Sequence, residues 1–301
     1  MRHVATHPGK FGDLLWALPT LRYIAGCEHG AVELWIPAAL DPLRPILEAQ
    51  PYIGHVWADQ EWQVQDTAPA TPRVPPSLRT DESMRLWHLG YETWPSRPLP
   101  FEVAARVADL TPQELDLSPW ITIPSAFSSL GKVSGSPEWI RMHYGEPASL
   151  LPYHQDEILV AWTDRWFELK LGLNTWLQAQ GLSLFSPCME GSRFQAVGAR
   201  ALAWPALAYA IEARDVVLTD CSAIHVLAAA MGKQVVVVEP ETDRHHEIFW
   251  PGQAVAGGTG LVWEPAENEL TQRIHPVIGG DGRPTFDARH TLETLRKVLA
   301  R

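Results

Sequence analysis

The sequence predicts an α/β protein of two domains, each a parallel β-sheet flanked by helices. Three observations carry this expectation. The chain has 301 residues, enough for about two domains at roughly 150 residues each. Short β-prone runs alternate with stretches of helical apolar spacing in both halves, the pattern of a parallel sheet with helical crossovers. Residues 125–152 are punctuated by Gly, Ser and Pro, the composition of a domain exit. The domains are therefore drawn as residues 1–152 and 153–301.

In the first half, residues 2–6 read as a strand and 13–25 as a helix carried by Leu14, Leu15, Leu18 and Leu21. A strand at 31–37, a short helix at 43–49 and a strand at 55–58 follow. Pro69, Pro72, Pro75 and Pro76 make 67–77 a surface loop, since proline is excluded from helix interiors and central strands. A strand at 84–88 and a helix at 101–109 complete this half. The second half reads as strands at 157–161, 182–186, 216–219 and 234–239, with helices at 166–180, 206–212 and 224–231. Gly181 and Gly232 stop the first and last of these helices. A basic amphipathic helix is expected at 291–301.

Hydrophobic residues make up 46% and charged residues 20%, so the chain should fold on its own. The net charge is −11, and both halves are acidic: 11 Lys+Arg against 17 Asp+Glu up to residue 152, then 13 against 18. Nucleic acid or an anionic lipid surface would need a local basic patch against that field. Cys27, Cys188 and Cys221 are odd in number and widely spaced, which fits neither a disulfide framework nor a zinc cluster. No secretory leader is visible and no apolar run reaches the 18 or so residues that span a bilayer, so a cytoplasmic protein is expected. The fourteen tryptophans are read mainly as core bulk.

Open parallel sheets bind ligands at the carboxyl ends of their strands, so the site is expected between the two domains. Two loop-to-helix junctions carry unusual residues. The first is HPGKFGD, residues 7–13. Gly9 and Gly12 allow positive φ and the close approach of another molecule, and Asp13 is a carboxylate able to take a proton from a hydroxyl. The competing reading is that Asp13 only caps the helix. The second junction is TDCSAIH, residues 219–225. Here a helix N-terminus offers free N–H groups and the positive end of its dipole to an anion, with Ser222 adding a hydroxyl. Asp220 would repel a phosphate and is expected to cap the turn or meet a sugar hydroxyl. His225 is either a phosphate donor or a helix histidine bonded to backbone. Thr163 and Arg165 are candidates for the same phosphates, with an ordinary surface arginine as the alternative for Arg165. The run TDRHHE, residues 242–247, lacks metal-ligand spacing, so no metal is expected. The signatures of P-loop, dinucleotide-binding and serine-hydrolase sites are missing.

Together the junctions resemble those of the glycosyltransferase family 9 heptosyltransferases, enzymes of the GT-B fold with two Rossmann-like domains facing an interdomain cleft. HPGKFGDLLWALPTLR resembles that family's opening Gly-x-x-Gly-Asp segment ending in a proline, here Pro19. Residues 215–240 resemble its Asp-Thr-Gly-x-x-His donor loop and the strand after it. SPCMEG around Glu190 resembles the acidic turn beside the nucleotide ribose, and TDRW its Lys-x-Trp phosphate segment. Cys221 and Ser222 stand where Thr and Gly are usual, Arg165 near an expected Lys, and Glu239 where Gly precedes Pro240.

The resemblance implies an inverting, metal-independent transfer of a sugar from a nucleotide-sugar, ADP-heptose or another, to an acceptor hydroxyl on a glycan or lipid-linked glycan. Asp13 would be the base, with Gly9, Lys10 and Gly12 as loop residues on the acceptor side. Thr163, Arg165, Glu190, Asp220, Cys221, Ser222, Ala223 and His225 would hold the donor, and no cofactor beyond this cosubstrate is needed. Domain closure would limit donor hydrolysis, with the last helix crossing back to the first domain. Three rivals share the fold: transfer to hydroxymethylated bases of viral DNA, using the five arginines from Arg73 to Arg106; a non-catalytic nucleotide-sugar binding module; and a sugar-nucleotide epimerase.

Overall fold

A computed structural model gives the fold. It describes residues 2–62, 64, 75, 78, 84–90, 99–111, 113–123, 158–220, 222–238 and 293, and the backbone of five short strands between 253 and 285. The chain divides into two compact units, residues 1–122 with 245–266 and residues 123–244 with 267–301. The boundary expected at Pro152, the proline-rich loop apart from Pro75, the 242–247 run and the final helix apart from Glu293 lie outside the described residues.

Unit 1 holds β1 (Arg2–Thr6), α1 (Phe11–Cys27), β2 (Val32–Pro37), α2 (Arg44–Glu48), β3 (Ile53–Asp59), β4 (Met84–His88) and α3 (Leu99–Ala108). Its four strands pair in parallel in the order β3-β2-β1-β4. Parallel neighbours need crossovers, and α1 supplies the one from β1 to β2. A 3-10 turn over Ala38–Leu43 and α2 supply the next. Every residue of α1 from Asp13 to Leu21 is buried, because α3 and the indole of Trp120 cover it as well as the sheet. Leu14, Leu15, Leu18 and Leu21 have no exposed surface, and burying each such side chain contributes about 1.5–3 kcal/mol. Pro19 sits in the interior of α1, where it removes the N–H that the Leu15 carbonyl would accept. Trp120 Nε1 donates to that carbonyl at 3.0 Å. Arg22 anchors the same segment through the carbonyls of Asp116 and Pro119, at 2.7 and 3.0 Å.

Unit 2 begins at β5 (Ile158–Ala161) and continues through α4 (Phe167–Ala179), β6 (Leu184–Phe185), β7 (Pro187–Cys188), β8 (Arg200–Ala201), α5 (Trp204–Glu212), β9 (Val216–Thr219), α6 (Ala223–Ala230) and β10 (Gln234–Val238). The hairpin of β11 (Gln253–Gly257) and β12 (Gly260–Glu264) groups with unit 1. In unit 2, β13 (Thr271–Ile274), β14 (Val277–Ile278) and β15 (Pro284–Thr285) follow. Five strands form a parallel sheet in the order β13-β10-β9-β5-β6. Its core joins Ile158, Val160, Leu218, Val236 and Val238 to Phe167, Leu173 and Leu177 of α4. Gly181 and Gly232 follow α4 and α6 at φ 82 and 72, conformations that would strain any other residue.

Both sheets reverse their winding once, between β1 and β4 in unit 1 and between β5 and β9 in unit 2. At such a point the loops leave the strands in opposite directions and open a crevice at the carboxyl ends. The loops from residues 7, 89, 162 and 220 start there.

Candidate functional site

In unit 2, strand register dictates which residues meet. Ala161 of β5 lies opposite Thr219 of β9, so the residues that follow the two strands are brought together. Asp220 Oδ2 accepts from the Thr163 hydroxyl, from the Thr163 amide at 3.3 Å and from Lys170 Nζ. Lys170 also donates to the Thr163 carbonyl at 2.9 Å, and its side chain is wholly buried. Burial pulls the Lys170 pKa below that of an ordinary lysine, and the Asp220 charge opposes the shift.

Sequence reading missed Lys170. The signal was present: Phe167, Lys170, Leu173, Asn174 and Leu177 form one buried stripe of α4, so the lysine and the asparagine hold helix positions that face the core. Asn174 accepts from Trp162 Nε1 at 2.9 Å, fixing the residue before Thr163.

Asp164 turns the other way. Its carboxylate accepts from Ser192 Oγ at 2.6 Å and from the Arg193 amide at 2.9 and 3.1 Å. The TDRW segment is thereby tied to the turn that carries Glu190. Glu190 and Arg165 are exposed, and the Arg165 guanidinium lies 4.3 Å from the centre of the Trp166 ring. Trp166 has φ 51, a left-handed conformation that a bulky residue adopts only at a cost.

The first turn of α6 completes this crevice. Ser222 is its N-cap, and Val226 N to Ser222 O at 3.3 Å is an early bond of the helix. The amides of Ala223, Ile224 and His225 precede it and have no acceptor within the helix. His225 is buried; Cys221 lies outside the described residues. Thr219 Oγ1, Asp220 Oδ1 and Ser222 Oγ are buried without a hydrogen-bond partner among the described residues. Unpaired buried polar atoms are costly, and they concentrate where a ligand completes the bonding.

In unit 1 the loop after β1 carries His7, Gly9 and Lys10. Lys10 is the N-cap of α1, and Gly12 and Asp13 lie within its first turn. The helix thus starts two residues before the expected position. Asp13 Oδ2 accepts the Lys10 amide at 3.4 Å, a long capping contact. Neither Gly9 nor Gly12 adopts positive φ. Gly9 serves close approach instead: a Cβ there would lie 2.6 Å from His7 Cε1 and 3.1 Å from Asp13 Oδ2. His7 was not anticipated as part of the site. Its Nδ1 accepts the Gly9 amide at 3.0 Å, and burial, aided by the Arg106 charge, lowers its pKa to about 3, so the ring is neutral. The loop after β4 closes against this one. Leu89 N donates to Thr6 O at 2.8 Å, and a Cβ on Gly90 would come within 2.7 Å of Pro8 Cδ.

Among the described residues no group of three or more His, Cys, Asp or Glu side chains could hold a metal, and no helix is long and apolar enough to cross a membrane.

Solved structures with this fold are found over nearly the whole chain. A glycosyl transferase family 9 protein from Veillonella parvula matches with a TM-score of 0.65 at 9% identity, covering 99% of this chain and 97% of that one. ADP-heptose LPS heptosyltransferase II of E. coli matches with a TM-score of 0.64 at 13% identity, covering 100% and 99%. E. coli heptosyltransferase WaaC, solved with ADP-2-deoxy-2-fluoro heptose, matches with a TM-score of 0.50 at 12% identity, covering 99% of each chain. No family model matches the sequence, and a search of curated proteins finds no match. The protein therefore has the GT-B type of fold, with two Rossmann-like units, as the sequence predicts.

Proposed function

We propose that this protein is a glycosyltransferase of the family 9 type, which moves a sugar from a nucleotide-sugar to an acceptor hydroxyl. The observation that carries the reading is the crevice at the β5/β9 reversal. There the Thr163–Lys170–Asp220 cluster, the first turn of α6 and three buried polar atoms that have no partner among the described residues occur on a fold shared with heptosyltransferases. Helix amides suit a diphosphate, and the unpaired oxygens suit hydroxyl groups of a sugar. The related WaaC structure contains an ADP-heptose analogue, which makes ADP-heptose the first donor to test.

In this reading Asp13 takes the proton from the acceptor hydroxyl as its oxygen attacks C1 of the donor sugar. The C1–O bond to the diphosphate breaks, inverting the anomeric centre, and the nucleoside diphosphate leaves with the bonding pair. The amides of Ala223 and Ile224 stabilise the charge that develops on it, an electrostatic role that commonly supplies a large share of the rate. No metal is required; turnover should survive EDTA.

The test is a thermal-shift screen of ADP-, UDP-, GDP- and TDP-sugars, followed by turnover with glycan and lipid-linked glycan acceptors. A donor that raises the melting temperature in proportion to its concentration, and is consumed only when acceptor is present, supports the reading. Stabilisation by none of the four nucleotide classes overturns it; binding without turnover on any acceptor makes the chain a binding module.

A further inference from the structure

Asp220 poses a problem for the proposed donor site. Its carboxylate stands two residues before the N-cap of α6, where a diphosphate would be repelled by it. Its negative charge does not stand alone. Lys170 Nζ reaches it from the buried stripe of α4 and spends its donors on Asp220 Oδ2, the Thr163 carbonyl at 2.9 Å and the Thr163 hydroxyl at 3.4 Å. The ammonium also lies 5.6 Å from the centre of the Trp162 ring. Asp220 Oδ2 takes three donors, whereas Oδ1 is buried and has no partner among the described residues. Asp164 and Asp220 are thus handled differently: Asp164 is spent on the 192–193 turn, and Asp220 is paired with the Lys170 ammonium.

We propose that Lys170 is a positioning residue for donor binding: it joins Asp220 and Thr163 into one electrically neutral cluster, which lets a nucleoside diphosphate approach the first turn of α6 while Asp220 Oδ1 stays aimed for a hydroxyl. This rests on the nucleotide-sugar reading and deepens it. Lysine has no contact with the ligand in this role; it acts through the aspartate. The cluster also explains why a lysine occupies a core position of a helix, because a buried ammonium is tolerated only when paired and fully hydrogen-bonded.

Binding of ADP, UDP, GDP and TDP is measured by calorimetry on the wild-type chain, Lys170→Met and the double variant Lys170→Met/Asp220→Asn. Thermal melts of each establish the temperature at which it is folded. Lys170→Met leaves a lone carboxylate and should weaken binding of the preferred diphosphate at least tenfold; the double variant restores neutrality without the ammonium and should return to within about threefold of wild type. Folded Lys170→Met that binds as well as wild type overturns the role and leaves Lys170 a structural residue. A folded double variant that binds no better than a tenfold loss also overturns it, and this arm decides alone if Lys170→Met does not fold. If the wild-type chain binds none of the four, the nucleotide-sugar reading itself falls, a result distinct from either failure.

Discussion

Trp120 Nε1 donates to the Leu15 carbonyl, the one acceptor in α1 that Pro19 leaves without its helical amide. A residue 105 positions away thus repairs the bond that a proline in a helix interior removes. Trp120→Phe should cost about 1–2 kcal/mol from the lost bond alone. In a Pro19→Ala background the amide regained at that position can serve Leu15, so the cost of Trp120→Phe should shrink by about 0.5–1.5 kcal/mol. Urea unfolding of the four chains measures that coupling; independent effects would mean that the indole acts only by packing against Trp16.

Asp13 is buried and accepts the Lys10 amide, so it both caps α1 and stands as the proposed base. Asparagine accepts the same amide but takes no proton from a hydroxyl. Asp13→Asn should change stability by less than about 1 kcal/mol, while kcat falls by about 100- to 10,000-fold. A variant that melts like wild type and turns over at the wild-type rate would reduce Asp13 to a cap.

His7 makes stability depend on pH in a defined window. Its pKa is about 3 in the folded chain against 6.5 for an ordinary histidine. Above pH 6.5 both states are neutral and the group has no effect. As pH falls below that value the unfolded chain takes up a proton that the folded chain refuses until about pH 3, so stability drops across the interval. His7→Asn keeps an acceptor for the Gly9 amide and has nothing to titrate. Moving from pH 7.5 to 5.0 should cost the wild type about 2 kcal/mol more than the variant. Equal slopes in denaturant titrations at the two pH values would show that His7 charges freely.

Gly9→Ala places a methyl group 2.6 Å from His7 Cε1 and 3.0 Å from Asp13 Cβ, and the first of these is too short for any real contact. Relief requires the loop or the imidazole to shift. We expect a stability loss of about 1–3 kcal/mol and a fall in kcat through displacement of Asp13. Gly172→Ala, where a Cβ meets nothing within 4 Å in the interior of α4, is the contrast: it should raise stability by about 0.5–1 kcal/mol and leave kcat unchanged.

The alternation of apolar strands and helices was legible because burial imposes period and composition on long elements. Thus β1 and β4 fall where expected, and α1, α4 and α6 lie within two residues of their predicted ends. The two-residue strands β7 and β8 left no pattern to read. Position in loops singled out Asp13 in unit 1 and Thr163 and Asp220 in unit 2 as candidates, since they stand at or beside the ends of strands or the start of a helix. Lys170 escaped because its meaning lies in the partner it reaches 50 residues away, and one lysine among apolar neighbours resembles a surface residue until the stripe is followed. Thr163 turns to Asp220 and Arg165 lies over Trp166, contacts that spacing along the chain does not reveal.

The tight fit of Gly90 against Pro8 fixes where engineering of unit 1 can begin. Residues 88 and 89 are committed to Thr6 through a side-chain contact of 2.9 Å and a backbone bond, and position 90 tolerates no side chain, so the stem of that loop is closed to redesign. Substitutions meant to alter this part of unit 1 should therefore leave residues 88–90 intact.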